Sequence, residues 1–348
     1  MTAPAAESGR RRPSASALRD GIRRVLSAPV LLVCVWILTF ATALPLALTL
    51  RGMLQHHLDA SLAASAAAEA VNYDWWQEFE AQAAGLGTSF TPSVIGFAAV
   101  LDNISSIADA RGKIAPVASA VGAYLLLWTF LMGGIIDRYA RQRPTRAHGF
   151  FAAAGVFFVR FVRLAIAAAI VYWVLFGMVH PWLFDTVLER ATRDLDVERT
   201  AFLFRLAAYA VFGVLVVVAN VLFDYAKIRA VVEDRRSMLG ALAASMRFVL
   251  RNPGRVVGLY ALNTLGFLVL LALWALVAPG AGGAGPSMWI GFLAAQVYVA
   301  ARLILKLTFL ASQTALFQQS LAHAGYTAAP EPVWPESPGA ELIHPPRG

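Results

Sequence analysis

Six ionisable residues lie within or at the edges of long apolar runs, and they are the first candidates for chemistry in this sequence. They are Arg160, Arg163, Arg205, Asp224, Arg302 and Lys306. A charge at the centre of a bilayer costs about 3 kcal/mol on insertion scales, so such a residue needs a partner, a route to the interface or a ligand. Arginine and lysine side chains that lie close together bind phosphate or carboxylate groups.

The spacing of these residues brings several of them to a similar depth. Arg302 and Lys306 are four residues apart and share one helical face, and so do Asn220 and Asp224. One interpretation is an anion or phosphate-headgroup site. The other, which we favour, is a set of cations that extend to the interface together with a structural pair of Asp224 with Arg302 or Lys306. In either case the sequence predicts a polar cluster formed by Asn220, Asp224, Arg302, Lys306, Arg160 and Arg163.

Motifs for catalysis or metal binding are absent from the sequence. It has one cysteine, Cys34, and six histidines without the His-Glu-x-x-His or Cys-x-x-Cys spacing of zinc sites. Neither a Gly-x-Ser-x-Gly motif nor a phosphate-binding glycine loop occurs. We therefore expect no metal, no cofactor and no enzymatic activity.

Composition indicates the elements that must position these residues. Of the 348 residues, 59% are hydrophobic and only 14% charged, which excludes a soluble globule. About 20 apolar residues are needed for each crossing of a bilayer. The sequence predicts an all-α, polytopic membrane bundle of six transmembrane helices, with spans at about 29–50, 114–136, 161–179, 201–225, 256–278 and 288–311.

The first of these runs also has a feature of a secretory signal, because Ala41-Thr42-Ala43 resembles a cleavage site. Its apolar stretch continues to Leu50, which is longer than a signal core needs. This length favours a membrane span.

The distribution of basic residues predicts the orientation. Segments 1–28, 137–149 and 227–255 hold 6, 4 and 7 of the 29 lysines and arginines, whereas the alternate segments 51–113, 180–200 and 279–287 hold 3, 3 and none. The positive-inside rule then predicts that both termini lie on the cytoplasmic side of the membrane. We expect this membrane to be a bacterial inner membrane. We interpret the net charge of +8 as a topology signal that also attracts anionic headgroups at the cytoplasmic face, and we expect no nucleic-acid partner.

The remaining segments carry weaker expectations. Residues 17–320 are predicted to form the membrane domain, with 1–16 and the proline-rich 327–348 as disordered tails. The apolar patch Phe150–Val159 is too short for a span and is expected at the interface or against the bundle.

The outer loop, 51–113, contains the paired tryptophans Trp75 and Trp76 beside acidic residues. They are interpreted as anchors at headgroup level, with a ligand-binding cap as the alternative.

An internal repeat precedes two of the spans. Residues 17–29 and 241–253 are identical at six of thirteen positions, including the final Pro29 and Pro253. Both stretches have apolar residues at helical spacing with arginines opposite, a pattern typical of interfacial helices. A shorter match, of residues 160–162 with residues 247–249, extends the prediction to three hairpin repeats, each preceded by an interfacial amphipathic helix.

The segment Asp224-Tyr225-Ala226-Lys227-Ile228-Arg229-Ala230-Val231-Val232-Glu233-Asp234-Arg235-Arg236-Ser237, with the helix and span that follow, carries a resemblance. It resembles bacterial six-helix membrane proteins related to the membrane domain of some glycerophosphoryl diester phosphodiesterases. The resemblance implies an integral membrane domain without a settled biochemical role. The His-Arg-Gly and Glu-x-Asp motifs of the phosphodiesterase barrel are missing, so its activity is not implied.

The same loop is similar to the ATPase-docking loop of importer-type ABC permeases. The matching positions are Asp234, Gly240, Leu250 and Pro253. Because the helix before the first span ends with the same proline, we interpret the match as a property of the repeat. The alternative is that Asp234, Gly240 and Pro253 belong to a cytoplasmic docking loop for an unidentified protein partner. We expect a non-enzymatic envelope scaffold or lipid-interacting membrane domain, with a transporter or ABC-type permease subunit as the alternative.

Overall fold

The computed structural model describes residues 13–69, 72–94, 96–280 and 285–321, and this part of the chain is helical without any strand. Its eleven α-helices are numbered in chain order. They are α1 Pro13–Leu26, α2 Pro29–Asp59, α3 Ala64–Glu69, α4 Tyr73–Gln82, α5 Ala98–Ala108, α6 Ala115–Arg141, α7 Ala147–Thr192, α8 Glu198–Val232, α9 Met238–Arg251, α10 Pro253–Val277 and α11 Pro286–Ser320. Helix α7 includes the π-helical stretches Leu175–Val179 and Trp182–Leu188.

Six of these helices, α2, α6, α7, α8, α10 and α11, are long and apolar enough to cross a bilayer, which confirms the predicted all-α bundle of six spans. Several are longer than a crossing requires. The 35 residues of α8 and of α11 correspond to about 52 Å, against roughly 30 Å of hydrocarbon. These helices therefore extend well beyond the membrane on at least one side.

The main hydrophobic core lies at one end of the bundle. We call it the basic end, where α2, α7 and α10 begin and where α6, α8 and α11 finish. Most of its buried residues come from the last turns of those three finishing helices and from α1 and α9, and most of the others come from the first half of α2, α7 and α10. The large apolar side chains farther along the spans are mostly exposed, as expected of surfaces that contact lipid.

The internal repeat appears in the structure as two equivalent helices, α1 and α9. Ala17 and Ala241, which the repeat aligns, are both completely buried. Pro29 and Pro253 each begin the next helix, because proline fits the first turn, where its missing N–H has no helical partner. In both units a short helix at the basic end is thus separated from its span.

The third unit differs from the prediction. Phe150–Val159 packs against α6, which is one of the two placements expected for it, but it is not a separate interfacial helix, because α7 runs without interruption from Ala147 through the third span. No proline stands in α7 at the position equivalent to Pro253, so nothing ends the helix there. The buried face is nevertheless retained, since Ala154 is completely buried like Ala17 and Ala241.

The units pack in a cyclic order. Helix α1 packs on α11, the start of α7 packs on α6, and α9 packs on α8. Each interface contains a close approach: a Cβ on Gly21 would lie 2.6 Å from the Ser312 backbone nitrogen, and a Cβ on Gly133 would lie 2.8 Å from Phe157 Cβ. In the third interface the Ser245 hydroxyl donates to the Leu222 carbonyl oxygen at 3.0 Å.

Several helix boundaries also differ from the prediction. Residues 13–16, predicted as part of a disordered tail, form the first turn of α1, where the Ser14 hydroxyl donates to the Arg255 carbonyl oxygen at 3.0 Å. The first span continues to Asp59 instead of ending at Leu50. The predicted tail 327–348 lies outside the described residues.

Candidate functional site

The centre of the polar cluster is Asp224, near the basic end of α8. Its Oδ1 accepts a hydrogen bond from Lys227 Nζ at 2.7 Å. Its Oδ2 accepts from the Tyr260 hydroxyl at 2.9 Å and from Gln313 Nε2 at 3.1 Å. One carboxylate therefore joins three spans, α8, α10 and α11, and both of its oxygens are engaged.

The favoured pairing of Asp224 with Arg302 or Lys306 is therefore wrong. Lys227 lies three residues along the same helix and reaches Oδ1 directly. Gln313, which contacts Asp224, is 11 residues beyond Arg302, so Arg302 lies about 16 Å away along α11.

The residues that hold Asp224 were not among the predicted site residues. Gln313 lies two residues beyond the predicted end of the sixth span, and Tyr260 was counted as an ordinary span residue. Lys227 could have been found, because its spacing of three residues from Asp224 puts both side chains on one helical face.

Arg302 and Lys306 instead line a cavity of about 700 Å³ between α2, α6, α10 and α11. Lys306 Nζ lies 3.5 Å from the centre of the Trp128 ring, and the Arg302 guanidinium lies 5.7 Å from the centre of the Tyr298 ring. Neither cation forms an ion pair within the described part of the chain. The lining residues are Thr39, Thr42, Ala43, Leu46, Val117, Ala120, Val121, Tyr124, Asn263, Thr264, Phe267, Val299, Arg302, Leu303, Leu305, Lys306 and Phe309, with no acid among them.

The other predicted cluster residues lie apart from this cavity. Arg160 forms an ion pair with Asp234, and Arg163 is exposed on α7. The Asn220 amide oxygen accepts a hydrogen bond from the Tyr172 hydroxyl at 2.7 Å. The six residues therefore do not form one site, because they belong to the Asp224 network, the cavity and the surface of α7 and α8.

The candidate docking loop connects α8 to α9 and is tied to the bundle. Asp234 has a left-handed backbone with φ of 47° and ends α8, since the Arg235 N–H donates to the Ala230 carbonyl oxygen at 3.0 Å. The Gly240 N–H donates to the Ser237 hydroxyl at 3.2 Å, which caps α9. Asp234, Gly240 and Pro253 thus have structural roles in ending and starting helices.

At the basic end, α1 and α9 expose residues at equivalent positions of the repeat. Aligned by the repeat, the exposed positions Ile22, Arg23 and Leu26 correspond to Met246, Arg247 and Leu250. Leu26 is 73% exposed and Leu250 is 70% exposed. The cations Arg19 and Arg251 lie on the same two exposed faces.

One arginine of α1, Arg24, is buried and structural. Arg24 NH1 donates to the Tyr139 carbonyl oxygen at 2.9 Å and to Gln318 Oε1 at 2.8 Å, which joins α1 to α6 and α11. Its NH2 donates to Asp20 at 2.9 Å. Burial lowers the pKa of Arg24 from its usual range, an effect that the Asp20 carboxylate opposes.

At the opposite end, the paired tryptophans have different environments. Trp75 is buried, stacks on Phe79 and donates through Nε1 to His57 Nδ1 at 3.0 Å. The interpretation of Trp75 as a headgroup anchor is therefore wrong, because its ring lies inside an aromatic cluster of the protein. Trp76 is half-buried and donates to the Phe90 carbonyl oxygen at 3.1 Å, so its role as an anchor stays a prediction.

The fold defines a class, the multi-pass helical membrane proteins, because six of its helices are long and apolar enough to cross a bilayer. The chain matches no protein-family model, no curated protein and no solved structure. The resemblance to the membrane domain of glycerophosphoryl diester phosphodiesterases stays a prediction. In the described part of the chain, histidine, cysteine, aspartate and glutamate form no group of three that could hold a metal ion.

Proposed function

We propose that this protein is a non-enzymatic, lipid-interacting domain of a bacterial inner membrane, whose basic end lies on the acidic headgroups of the cytoplasmic leaflet. The observation that carries the proposal is that α1 and α9 expose apolar and basic residues at equivalent positions of the repeat. Each helix exposes two arginines and at least two large apolar residues on one face, without an exposed acid on that face. A helix of this kind lies in a bilayer interface, with its apolar side chains below the headgroups and its cations among them.

The position of the two helices supports the same function. Each is followed within three residues by a span, so its C-terminal end lies beside the start of that span. The exposed apolar surface continues across the break, from Leu26 to Val30 and Val33 in the first unit and from Leu250 to Val257 in the other. One apolar medium can therefore cover both the short helix and the start of its span.

Charge supports the choice of an acidic leaflet. Arg19, Arg23, Arg247 and Arg251 make no ion pair within the part of the chain that the structure describes. A basic residue near an anionic surface contributes about 1 kcal/mol of attraction. Four such residues favour an acidic membrane surface over a neutral one.

Spin-label depth measurements test this function. In a Cys34→Ser background, a label at Leu26→Cys or Leu250→Cys is expected in the acyl region of nanodiscs that contain phosphatidylglycerol. A label at Leu62→Cys, in an exposed position at the opposite end, is the aqueous control. Replacing Arg19, Arg23, Arg247 and Arg251 by glutamine should move the first two labels toward water, whereas the same change at Arg190, Arg193, Arg199 and Arg205 should not. Labels at 26 and 250 that are as accessible to water as the label at 62 contradict the proposal.

A permease subunit is the second candidate function, and the cavity between the first hairpin, α2 and α6, and the last, α10 and α11, is the observation that favours it. If the protein is such a subunit, a cytoplasmic ATPase should copurify with it and crosslink to segment 234–253. Purification without any ATPase, under conditions that preserve known permease complexes, counts against this function.

A further inference from the structure

We propose that the cavity between α2, α6, α10 and α11 is a binding site for one acidic phospholipid, whose phosphate is held by Arg302 and Lys306. This site is separate from the surface of α1 and α9, and it shares none of its residues. The occupant follows from the charge of the cavity, from the geometry of its two cations and from the nature of its walls.

The charge of the cavity calls for an anion. Arg302 and Lys306 both line it, one turn apart on α11, and no acidic residue faces them from any of the four surrounding helices. Asp224, outside the cavity, already accepts hydrogen bonds from Lys227, Tyr260 and Gln313. Two cations that form no ion pair within the described residues are costly among apolar helices, and an anion that contacts both removes much of that cost.

The geometry of the two cations fits a phosphate. The planar guanidinium of Arg302 can donate two hydrogen bonds to one phosphate, while the Lys306 ammonium acts as a point charge beside it. Lys306 is held in place by aromatic rings, with Nζ 3.5 Å from the centre of the Trp128 ring and 5.4 Å from that of Tyr124. Because ring faces leave the N–H donors of an ammonium without strong acceptors, Lys306 keeps hydrogen-bonding capacity for a ligand.

The walls indicate that the anion is attached to an apolar chain. Most lining residues are aliphatic or aromatic, among them Leu46, Val121 and Phe267. Val121 is 48% exposed, so the cavity opens onto the surface that the spans present to lipid. The volume of about 700 Å³ holds a headgroup and the first part of the acyl chains, and the rest can extend into the bilayer.

Lipid retention tests the proposal on the full-length protein. Wild type, Arg302→Gln/Lys306→Gln, Arg302→Lys/Lys306→Arg and Arg163→Gln are each reconstituted in phosphatidylcholine nanodiscs with and without phosphatidylglycerol. After transfer to detergent, native mass spectrometry counts the phosphatidylglycerol retained by each protein. Arg163→Gln is the matched control, because Arg163 is an exposed cation of a neighbouring span outside the cavity.

We expect the double glutamine variant to retain about tenfold less phosphatidylglycerol than wild type, because two charge-assisted contacts are lost. The variant that keeps both charges and the Arg163→Gln control should retain as much as wild type. Equal retention by wild type and by the double glutamine variant overturns the proposal.

Two further measurements distinguish the source of the anion and the effect of misfolding. If inorganic phosphate protects Lys306 from acetylation in wild type as well as phosphatidylglycerol does, the site binds a soluble anion, and the lipid assignment is wrong. Should the double glutamine variant fail to fold, acetylation of Lys306 in wild type still tests whether the cavity binds an acidic lipid. Phosphatidylglycerol must protect Lys306 and phosphatidylcholine must not, and equal acetylation in both lipids overturns the proposal.

Discussion

At the scale of single residues, Asp224 shows how the bundle accommodates a charge inside a span. The carboxylate is satisfied by donors from three helices, so removing one donor affects the contact between those helices as well as the charge. Breaking a hydrogen bond to a buried charged group costs about 1.5 to 3 kcal/mol. The network therefore contributes to stability, whereas Arg302 and Lys306, which do not touch it, are available for a ligand.

Double-mutant cycles separate these two roles. The cycle of Asp224→Asn with Lys227→Gln should give a coupling energy of about 1 kcal/mol, because the two side chains are in contact. The cycle of Asp224→Asn with Arg302→Leu should give a coupling within about 0.5 kcal/mol of zero, because about 16 Å of helix separates Arg302 from the network. Thermal melting of the purified variants in one detergent measures both, and strong coupling of Arg302 to Asp224 contradicts the structure.

Gly21 gives a second test at this scale. A Cβ added there meets the backbone of Ser312 at 2.6 Å, which cannot move without shifting α11. We expect Gly21→Ala to lower the free energy of unfolding by about 1 to 3 kcal/mol. Gly155→Ala is the control, because among the described residues no atom beyond its own stretch of helix lies within 4 Å of a Cβ at that position. Alanine there should be neutral or stabilising by up to about 1 kcal/mol; equal losses at both positions refute the close packing of α1 on α11.

At the scale of elements, the end of α8 decides how α9 is placed. Asp234 combines a left-handed backbone with an ion pair to Arg160 on α7, so one residue both ends a helix and fixes the loop to its neighbour. Glycine adopts this backbone without strain, whereas alanine does not.

Substitutions of Asp234 by glycine and by alanine should therefore differ in stability, although both remove the same side-chain contacts. Both Asp234→Gly and Asp234→Ala lose the ion pair with Arg160, but only alanine keeps the backbone strain. We expect the alanine variant to be less stable by about 1 kcal/mol, measured by thermal melting with Arg160→Gln as the reference for loss of the ion pair alone. Equal melting temperatures for the glycine and alanine variants are incompatible with a left-handed Asp234.

The elements also show what the sequence could predict. The length of the apolar runs and the prolines at 29 and 253 have direct physical meaning, and both the six spans and the separate helices α1 and α9 were predicted from them. The unbroken α7 was not, because a short apolar patch beside a span looks the same whether or not a helix joins them. The cavity and the partners of Asp224 depend on which spans are neighbours, and side-chain spacing along one helix carries no such information.

At the scale of the whole molecule, helix length and core position both indicate a packed layer at the basic end. Helices α8 and α11 exceed the roughly 30 Å of hydrocarbon by about 20 Å, and the core lies where α6, α8 and α11 finish. The basic end is therefore a compact layer built on the spans, with α1 and α9 at its edge. The function proposed here requires that this layer faces the cytoplasm, where the leaflet surface is negative.

The most direct test of this account is the side of the membrane on which each end lies. In a Cys34→Ser background, Glu80→Cys and Arg236→Cys place single cysteines at exposed positions of the opposite end and of the basic end. In intact bacterial cells, a membrane-impermeant maleimide should label the cysteine at 80 and leave that at 236 unlabelled until the cells are permeabilised, when both should react. Labelling at 236 in intact cells, or the same accessibility at both positions, contradicts the proposed topology and the cytoplasmic lipid surface that depends on it.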